Sequence, residues 1–530
     1  MAHRCIDSPE VSRRRVCREH GASRFSTTAM PMEWTWASLN AGTYLLLCFL
    51  ILFIILTYPR RRKNVPPGPA LFPLIGNLPS LASRQPLEKF SQLRKQYGDV
   101  YGVYIGKDLT VVINGYDAIH EALIKRGKVF SMRPRSEFHQ IMFKDPGIVF
   151  ANGRLWKEHR KFAQMALNEF GYEWTERTME DRINDELSHF LNKIRSYSGP
   201  FDVSELLTLS VANVISGILF GRRCEYDDPC FVACLNSVGE AAKLFSTSGV
   251  LMSCFPWLRQ MPGDLLGLNK LDEIRRKPKD FLKFVFSWHS SVSARPEVQG
   301  VLGMYKQEIE AGRRNGHPEV FNETTMRAFM GELLSAGSET TATCIVWIVL
   351  YLILNPELQQ KLQAHIDDVI ENGRPPSLAD RKHLPLVEAT ILEGLRIAPV
   401  APLSVPHSVH EDVNFRGFLI PAETTVLINI HSVLKDPCIF EDPDVFRPER
   451  FLNSDGNLDV PKEFLPFSIG RRSCLGESLA RMELFLCVTS LLQNFTMTTP
   501  ENEPTPSREG VLGMTFCPGH FKMVAKPRSK

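Results

Sequence analysis

The sequence lacks closely spaced cysteine pairs and a strong net charge of either sign. Among its 12 cysteines no two form a CxxC pair, and the closest are Cys230 and Cys234. This spacing excludes a zinc ribbon or a disulfide framework and favours a reducing compartment. The 62 Lys and Arg residues nearly balance the 59 Asp and Glu residues, which leaves a formal net charge of +3. With so little overall charge, we expect no nucleic-acid partner.

Internal repeats, low-complexity segments and a GxGxxG fingerprint after a strand are also missing. What is present is the composition of a globular chain with a large core, 44% hydrophobic and 23% charged. Amphipathic helical patterns dominate, whereas "YGVYIGKDLTVVING" predicts a β-hairpin and "TTVLINIHSVL" predicts a further strand. The predicted fold class is mainly α with minor antiparallel β-sheets, in one large domain.

A long uncharged stretch near the N-terminus predicts a membrane anchor. Residues 34–58 carry no charge and are followed by the basic run "RRRK", and about 20 apolar residues suffice to cross a bilayer. The positive-inside rule then puts the following chain in the cytosol. A cleaved signal peptide is the alternative, but the apolar stretch is long for one and no small-residue cleavage site follows. We therefore divide the chain into an N-terminal extension (1–33), the anchor (34–58), a basic stop with a proline-rich hinge (59–73) and a large domain (74–530).

The N-terminal extension has two interpretations. Its basic residues, including "RRRV", are compatible with a targeting segment, for which mitochondria are the alternative destination. Translation that begins at Met30 or Met32 instead of Met1 would remove most of the extension. The acidic residues Asp7, Glu10 and Glu19 favour this second interpretation, because transit peptides are poor in acidic residues.

One predicted helix is long enough to cross the whole domain. It runs from a cap at Asn322 to a stop at Pro356, and at 1.5 Å per residue it would measure roughly 48 Å. Its second half, Thr341 to Leu354, is apolar but too short for a membrane span, and Glu332 and Glu339 interrupt the flank, so we predict a central core helix.

The segment "AGSETT" within that helix concentrates polar groups and a glycine. Gly337 costs about 1 kcal/mol relative to alanine, which indicates that something needs the space. Thr340 can donate a hydrogen bond to the Ala336 carbonyl and open a groove, and Glu339 beside it can supply protons. The alternative is a polar seam that faces another helix, and the residues alone leave both open.

Two further motifs carry charge. Glu393 and Arg396 in "EGLR" share one helix face and can pair, and Arg450 in "PERF" is a candidate third member. The alternative is an ordinary solvated pair, which would contribute little stability.

The segment "FSIGRRSCLGE" surrounds Cys474 with unusual specificity. Cys474 directly precedes a helix pattern, whose N-terminal N–H groups and dipole favour a thiolate. Gly470 and Gly476 allow close backbone approach, and Phe467 can shield one side. A thiolate beside Arg472 suits a haem iron that carries propionates. A cysteine nucleophile is the alternative, but no partner histidine lies nearby in sequence.

These motifs together resemble those of the cytochrome P450 family. The resemblance covers about residues 66–525 and rests on FxxGxRxCxG at 467–476, the central helix, the ExxR pair, "PERF" and "WKEHR". The anchor, "PPGP" and "GRLWKEHRKF" are similar to the microsomal branch that handles drugs, steroids and fatty acids. One segment departs from that branch: residues 294–305, "ARPEVQGVLGMY", stand where an acidic "NPRDFID"-like segment is usual, which leaves the local packing uncertain.

The resemblance implies roles for individual residues. Cys474 would be the axial thiolate ligand of haem b iron, within the loop framed by Phe467 and Gly470. The propionates would be bound by Trp156, Arg160 and Arg472, and also by Arg133 in "FSMRP" and His407 in "VPHSV". Thr340 and Glu339 would be catalytic in proton delivery. Glu393, Arg396 and Arg450 would form a structural triad.

The function that follows is membrane-anchored haem monooxygenation of a lipophilic substrate with O₂. The substrate would be a fatty acid, steroid or xenobiotic, with a preference for long-chain fatty acids. Because no flavin region is apparent, the electrons would come from NADPH through a separate flavin reductase, with cytochrome b5 as a candidate second donor. A cationic docking face would consist of Arg154, Lys157, Arg160, Lys161, Arg471 and Arg481. The expected location is the endoplasmic reticulum membrane, with the catalytic domain in the cytosol.

Three other functions would explain part of this pattern. A haem-thiolate isomerase or dehydratase would keep Cys474, but such members often lack the acid and alcohol that Glu339 and Thr340 provide. A non-catalytic haem-binding sensor would need no proton-delivery groove. A cysteine hydrolase would show no haem spectrum.

Overall fold

The computed structural model describes residues 41–57, 61–135, 137–142, 144–172, 178–264, 266–292, 300–314 and 319–528. The chain divides into a unit from Met1 to Leu56 and a second from Thr57 to Lys530. The predicted extension 1–33, the first residues of the anchor and residues 294–299 of the departing segment lie outside the described residues.

The first unit contains helix α1 (Ala41–Thr57), which lies inside the predicted anchor. It has no charged residue, and side chains such as Leu45 and Phe49 are more than half exposed. Exposed leucine and phenylalanine along an uncharged helix are what a lipid environment requires.

The second unit is mainly helical, as predicted. Its helices are α2 (Leu78–Leu81), α3 (Pro86–Tyr97), α4 (Tyr116–His120), α5 (Glu137–Met142), α6 (Gly153–Tyr172), α7 (Met179–Arg195), α8 (Val203–Phe220), α9 (Pro229–Cys254), α10 (Leu268–Val292), α11 (Gly300–Arg314), α12 (Glu323–Leu354), α13 (Pro356–Val369), α14 (Pro385–Ile397), α15 (His431–Leu434) and α16 (Glu477–Asn494).

The strands are short. They are β1 (Val100–Ile105), β2 (Asp108–Asn114), β3 (His407–Ser408), β4 (Val413–Phe415), β5 (Phe418–Ile420), β6 (Thr425–Asn429), β7 (Phe495–Thr498), β8 (Gly510–Leu512), β9 (Phe516–Pro518) and β10 (Val524–Pro527).

The predicted hairpin is confirmed as β1 and β2, which pair antiparallel with Val100 opposite Ile113. They belong to a four-stranded sheet in the order β1-β2-β6-β3, in which β2 and β6 run parallel. The remaining pairs, β4–β5, β7–β10 and β8–β9, are antiparallel. The predicted class is therefore confirmed, with one parallel pair inside an otherwise antiparallel arrangement.

Helix α12 is the predicted central helix. The Asn322 side chain accepts hydrogen bonds from the backbone N–H groups of Thr324 and Thr325, and the helix ends at Leu354 before Pro356. Residues 345–353 are all buried. By length and composition α8 and α12 could each cross a membrane, but 78% and 72% of their apolar windows are buried inside the unit. We interpret both as core helices.

Candidate functional site

The loop that carries Cys474 follows one tight helical turn, Gly470–Arg472, and precedes α16. Gly470 has a φ of +81°, and a Cβ atom there would lie 2.3 Å from the Leu123 carbonyl oxygen. Only glycine fits such a backbone conformation and such a contact. The Cys474 N–H donates a 2.9 Å hydrogen bond to the Phe467 carbonyl, which closes the loop. At Gly476 no described atom lies within 4 Å of the Cβ position, so no protein contact requires that glycine.

The Cys474 side chain is accessible to solvent, although protein atoms surround the thiol closely enough to desolvate it. Desolvation raises the pKa of its thiol above the ordinary value, although the Gly476 N–H and the Arg160 charge lower it. The N-terminal donors of the helix are therefore present, but their effect on the pKa of the thiol is smaller than that of desolvation. A metal cation on the sulfur would reverse this balance, since a coordinated thiol is deprotonated outright.

Three arginines meet around this loop. The Arg160 guanidinium donates to the Ser473 carbonyl at 2.9 Å. Arg472 donates to the Ser131 and Ala151 carbonyls at 2.9 and 2.6 Å, and its guanidinium lies 4.0 Å from the centroid of the Trp156 ring.

Arg133 completes the group from the opposite side. Its guanidinium donates to the Val149 carbonyl at 3.0 Å and to the Val405 and Pro406 carbonyls at 2.8 and 2.9 Å. The side chain is 5% exposed, so the charge is removed from water. Backbone carbonyls alone do not neutralise a buried guanidinium.

Burial and mutual repulsion destabilise these cations. Burial, together with repulsion from Arg160, lowers the pKa of Arg133 to about 9, although the Glu332 charge acts in the opposite direction. Burial lowers the pKa of Arg472 to about 8, with repulsion from Arg133 and Arg160. Because the buried arginines repel one another, a dianionic group would be stabilised strongly between them.

His407 lies on β3 at the edge of this group. Its Nδ1–H donates to the Phe130 carbonyl at 2.6 Å, and the side chain is 2% exposed. Burial and the neighbouring Arg133 lower the pKa of His407 to about 3. His407 is therefore neutral unless an anion lies next to it, since an opposite charge would raise its pKa.

The donor set fits haem. A thiol on a closed loop, three clustered arginines, a Trp156 ring and a histidine match the needs of an iron ion and two propionates. Cys474 would hold the iron, and Arg133, Arg160, Arg472, Trp156 and His407 would hold the propionates. These sequence-based assignments remain predictions, but the fold does bring all of these residues to one loop.

The polar segment of α12 faces two different groups. The Thr340 Oγ1 donates to the Ala336 carbonyl at 2.7 Å, and α12 nevertheless continues without a break. The Glu339 carboxylate accepts a 2.7 Å hydrogen bond from the Thr515 hydroxyl. Glu339 therefore faces the β8–β9 hairpin, whereas Thr341 at the end of the segment faces Glu483 of helix α16.

Gly337 makes room for a neighbouring helix. A Cβ atom there would lie 2.8 Å from the Ile215 Cδ1 of α8, so the glycine allows two core helices to approach closely. The prediction that something needs the space at Gly337 is therefore confirmed. The Ile215 side chain, which comes from a helix distant in sequence, occupies the space that the missing Cβ leaves. No local sequence pattern indicates that Ile215 would be the neighbour.

Glu332 is a site residue that the motifs did not reveal. Its carboxylate accepts hydrogen bonds from the backbone N–H groups of Gly147, Ile148 and Val149 at 2.9, 2.6 and 2.6 Å. Desolvation raises its pKa, and these N–H donors lower it. The available signal was a carboxylate on the apolar face of a core helix, which demands partners when buried.

The Glu393, Arg396 and Arg450 side chains meet in the interior of the second unit. Arg396 donates through Nε and Nη2 to the two Glu393 oxygens at 2.7 and 2.9 Å, and both side chains are fully buried. Arg450 Nε lies 3.2 Å from Glu393, whose Oε1 also accepts from the Arg447 N–H at 2.8 Å. The solvated alternative does not apply to this pair. A buried bidentate pair with added backbone donors is costly to break.

Part of the predicted cationic face forms a shallow surface depression of about 250 Å³. Its lining is Trp156, Lys157, Arg160, Lys161, Gln164 and Arg471. Arg154 pairs instead with Glu319 at 2.9 Å, and Arg481 pairs with Glu477 at 3.0 Å. The depression lies next to the Cys474 loop because Arg160 contacts Ser473.

Comparison with known proteins gives one consistent family. The family model for cytochrome P450 matches residues 66–523. Human cytochrome P450 2U1 is 34% identical over 519 residues, which covers 92% of this chain and 94% of that protein. Human cytochrome P450 2D6 is 36% identical over 502 residues, covering 91% and 98%, and rat cytochrome P450 2B2 is 36% identical over 478 residues, covering 88% and 96%.

Proposed function

The chain belongs to the cytochrome P450 family and is a haem-dependent monooxygenase, and we propose that Cys474 is its axial ligand and that long-chain fatty acids are its preferred substrates. One observation carries the ligand assignment: three arginines that repel one another in a desolvated setting meet at the Cys474 loop. A nucleophilic cysteine would use Arg160 to stabilise its thiolate but would leave Arg133 and Arg472 without an anion, whereas the two carboxylates of haem b neutralise the whole cluster.

The bound haem supplies oxygen activation with electrons from NADPH, and the rest of the chemistry is positioning and proton transfer by the chain. Arg133, Arg160 and Arg472 fix the propionates by charge-assisted hydrogen bonds. The Glu393–Arg396 pair, with Arg450, holds the polypeptide under the Cys474 loop.

Thr340 and Glu339 move protons in this proposal. The Thr340 hydroxyl uses its hydrogen in the 2.7 Å bond to the Ala336 carbonyl, so its oxygen is left to accept a hydrogen bond. It can therefore hold a water that brings a proton, and the Glu339 carboxylate next to it can exchange protons with solvent. This acid and alcohol favour a monooxygenase over an isomerase.

Substrate selection is proposed to take place beside α12 and the segment 400–405. Ala336 is exposed near the middle of α12, and Val400 is buried. An apolar lining with few polar groups suits lipophilic ligands. Long-chain fatty acids, steroids and xenobiotics should each be titrated and scored by the shift of the Soret band and by product formed per NADPH. Preference for steroids or xenobiotics would overturn the fatty-acid proposal alone.

Electrons are proposed to enter through the depression lined by Lys157, Lys161 and Arg471. It combines exposed cations with a short path to the Cys474 loop. A flavin reductase with an acidic face would dock there, and cytochrome b5 could use the same charges. The match to a family that draws on NADPH-derived electrons supports an external reductase.

We also propose that α1 anchors the protein in the endoplasmic reticulum membrane with residues 74–530 in the cytosol. Protease treatment of sealed microsomes should digest the large domain. Asn322 in "NET" and Asn494 in "NFT" match the glycosylation pattern, but in the cytosol they should carry no glycan. Protection from protease or a glycan at either site would overturn this topology, and recovery in mitochondria would favour the targeting interpretation of residues 1–33. N-terminal sequencing would show whether the protein begins at Met1, Met30 or Met32.

The deciding experiment for the haem site is the reduced CO difference spectrum of the purified chain. Cys474→Ala should abolish the Soret band of thiolate-ligated haem, whereas the matched control Cys438→Ala, at an exposed cysteine, should leave it intact. A band that survives in Cys474→Ala would refute the ligand assignment.

A further inference from the structure

We propose that Thr515, at the turn of the C-terminal β8–β9 hairpin, is a positioning residue that holds the Glu339 carboxylate for proton delivery. This inference rests on the proposed role of Glu339 in proton transfer. It adds a residue that lies more than a hundred positions away from the central helix in sequence and that belongs to none of the motifs.

The contact itself is short and directional. The Thr515 hydroxyl donates to Glu339 Oε1 at 2.7 Å, the distance of a charge-assisted O–H···O⁻ hydrogen bond. The Cys517 Sγ lies 3.3 Å from the Thr515 Oγ1 and 3.9 Å from the Thr343 Oγ1. Since Thr343 is one helical turn beyond Glu339 on the same face of α12, the hairpin lays a polar strip along the face that carries the carboxylate.

The hairpin is fixed well enough to act as a support. Trp347, two turns beyond Glu339 on the same face of α12, donates its Nε1–H to the Phe516 carbonyl at 2.9 Å. The two rings stack with centroids 5.3 Å apart. The Phe516 N–H donates to the Val400 carbonyl at 2.8 Å, which ties the hairpin to the segment after α14 as well. Phe516, which directly follows Thr515, is thus held by α12 on one side and by the segment after α14 on the other.

Close packing leaves the hairpin little freedom. A Cβ atom at Gly510, which pairs with Pro518 in the hairpin, would lie 2.3 Å from the Phe516 ring and 2.8 Å from the Trp347 ring. In addition, the Gly513 N–H donates to the Thr515 carbonyl at 2.9 Å, which closes the turn around Thr515. A hydroxyl on a backbone this constrained can select one rotamer of a neighbouring carboxylate.

The Thr515 hydrogen bond fixes the orientation of the Glu339 carboxylate. A glutamate side chain has several rotatable bonds, and without a fixed partner its carboxylate would sample orientations in which it does not face Thr340. The Thr515 hydroxyl holds one oxygen, Oε1, and leaves the other to exchange protons with water beside Thr340. Loss of this hydroxyl should therefore lower the fraction of NADPH electrons that end in product, with the balance appearing as hydrogen peroxide or water from O₂.

The contact can be tested without turnover by a double-mutant cycle on urea unfolding of the full chain in detergent. Thr515→Val removes the hydroxyl but keeps the shape, and Glu339→Ala removes its acceptor. We expect Thr515→Val to lower the folding equilibrium constant roughly tenfold when Glu339 is present, as for a hydrogen bond to a charged group, and far less in the Glu339→Ala background. Equal effects in both backgrounds would refute the contact.

The positioning role is tested by product formed per NADPH consumed. Thr515→Val should lower this ratio severalfold, and Thr515→Ser, which keeps the hydroxyl, should restore most of it. Val511→Ala, at an exposed position on the other strand of the hairpin, is the matched control and should leave the ratio unchanged. An unchanged ratio in Thr515→Val, or no rescue by serine, would refute positioning.

The two proposals fail in different ways. If the wild-type chain shows no thiolate-ligated haem spectrum, the proposed function falls, while the double-mutant cycle still measures the Thr515–Glu339 coupling. If the spectrum is intact but the double-mutant cycle gives no interaction energy between Thr515 and Glu339, the proposed function stands and the inference about Thr515 is refuted.

Discussion

Replacing Glu483 with glutamine should stabilise the protein, and by more as the pH rises. Glu483 lies on α16 and is 3% exposed. Neither carboxyl oxygen makes a hydrogen bond of good geometry with a described group, although Thr341 is close. The side chain borders a small internal cavity with Ser210, Cys487 and apolar residues. A charged carboxylate there would have no counter-ion, so the group is expected to be protonated in the folded state.

The size of the effect follows from proton linkage. Burial raises the pKa of Glu483 well above 4.5 in the folded state, so above pH 4.5 folding must restore a proton that the unfolded chain has released. The contribution of this group is fully favourable below pH 4.5 and is lost as the pH rises toward the folded pKa, at about 1.4 kcal/mol per pH unit. At about pH 7 the penalty reaches up to about 3 kcal/mol, and glutamine does not incur it.

Urea unfolding followed by tryptophan fluorescence, repeated at several pH values, measures this directly. Glu483→Gln should match the wild type near pH 4.5 and become more stable than it by about 1 to 3 kcal/mol near pH 7. Glu501→Gln, at an exposed position, is the control and should show no such divergence. A stability difference between Glu483→Gln and the wild type that does not change with pH would refute the reasoning, because it would mean that Glu483 has the same pKa in both states.

Three further outcomes are expected. Gly470→Ala should destabilise the fold by at least about 2 kcal/mol and reduce haem retention. The substitution adds a Cβ atom 2.3 Å from a backbone carbonyl oxygen, at a φ of +81°. Thermal unfolding and the haem-to-protein absorbance ratio measure the two effects. Arg396→Met should cost about 3 to 5 kcal/mol because Glu393 would remain buried and unpaired; the yield of folded holoprotein is the readout. Replacing both Lys157 and Lys161 with glutamate should raise the KM for the reductase severalfold at low salt and reduce its salt dependence, with unchanged thermal unfolding.

Local chemistry explains why much of the fold could be predicted. The bounds of α12 followed from an asparagine cap and a proline stop, which act through backbone groups within a few residues. The β1–β2 hairpin followed from alternating β-branched and aromatic residues around a glycine turn. Such features are fixed before tertiary packing takes place, and so a single sequence reveals them.

What could not be predicted depends on partners distant in sequence. Gly337 was correctly singled out as costly, but its cause is Ile215 on α8. The Glu332 carboxylate was visible as a charge in an apolar helix, yet its three backbone donors lie more than 180 positions away. The Thr515 hydroxyl, likewise, belongs to a hairpin with no catalytic motif. No periodicity encodes which loop or hairpin will pack against which face of a helix.

These long-range contacts have one element in common, because each fixes a part of the site against α12. Glu332 holds the 147–149 loop near Arg133 and Arg472, and Glu339 and Trp347 hold the β8–β9 hairpin. The helix is continuous from Glu323 to Leu354 and buried over its second half, so it offers rigid attachment points at fixed rotations. Because adjacent positions differ by 100° around the axis, a one-residue insertion between Glu332 and Glu339 would turn Glu332 away from its loop relative to the hairpin contacts. The spacing of Glu332, Glu339 and Trp347 along α12 is therefore itself a requirement of these contacts, since it keeps the 147–149 loop and the β8–β9 hairpin in register.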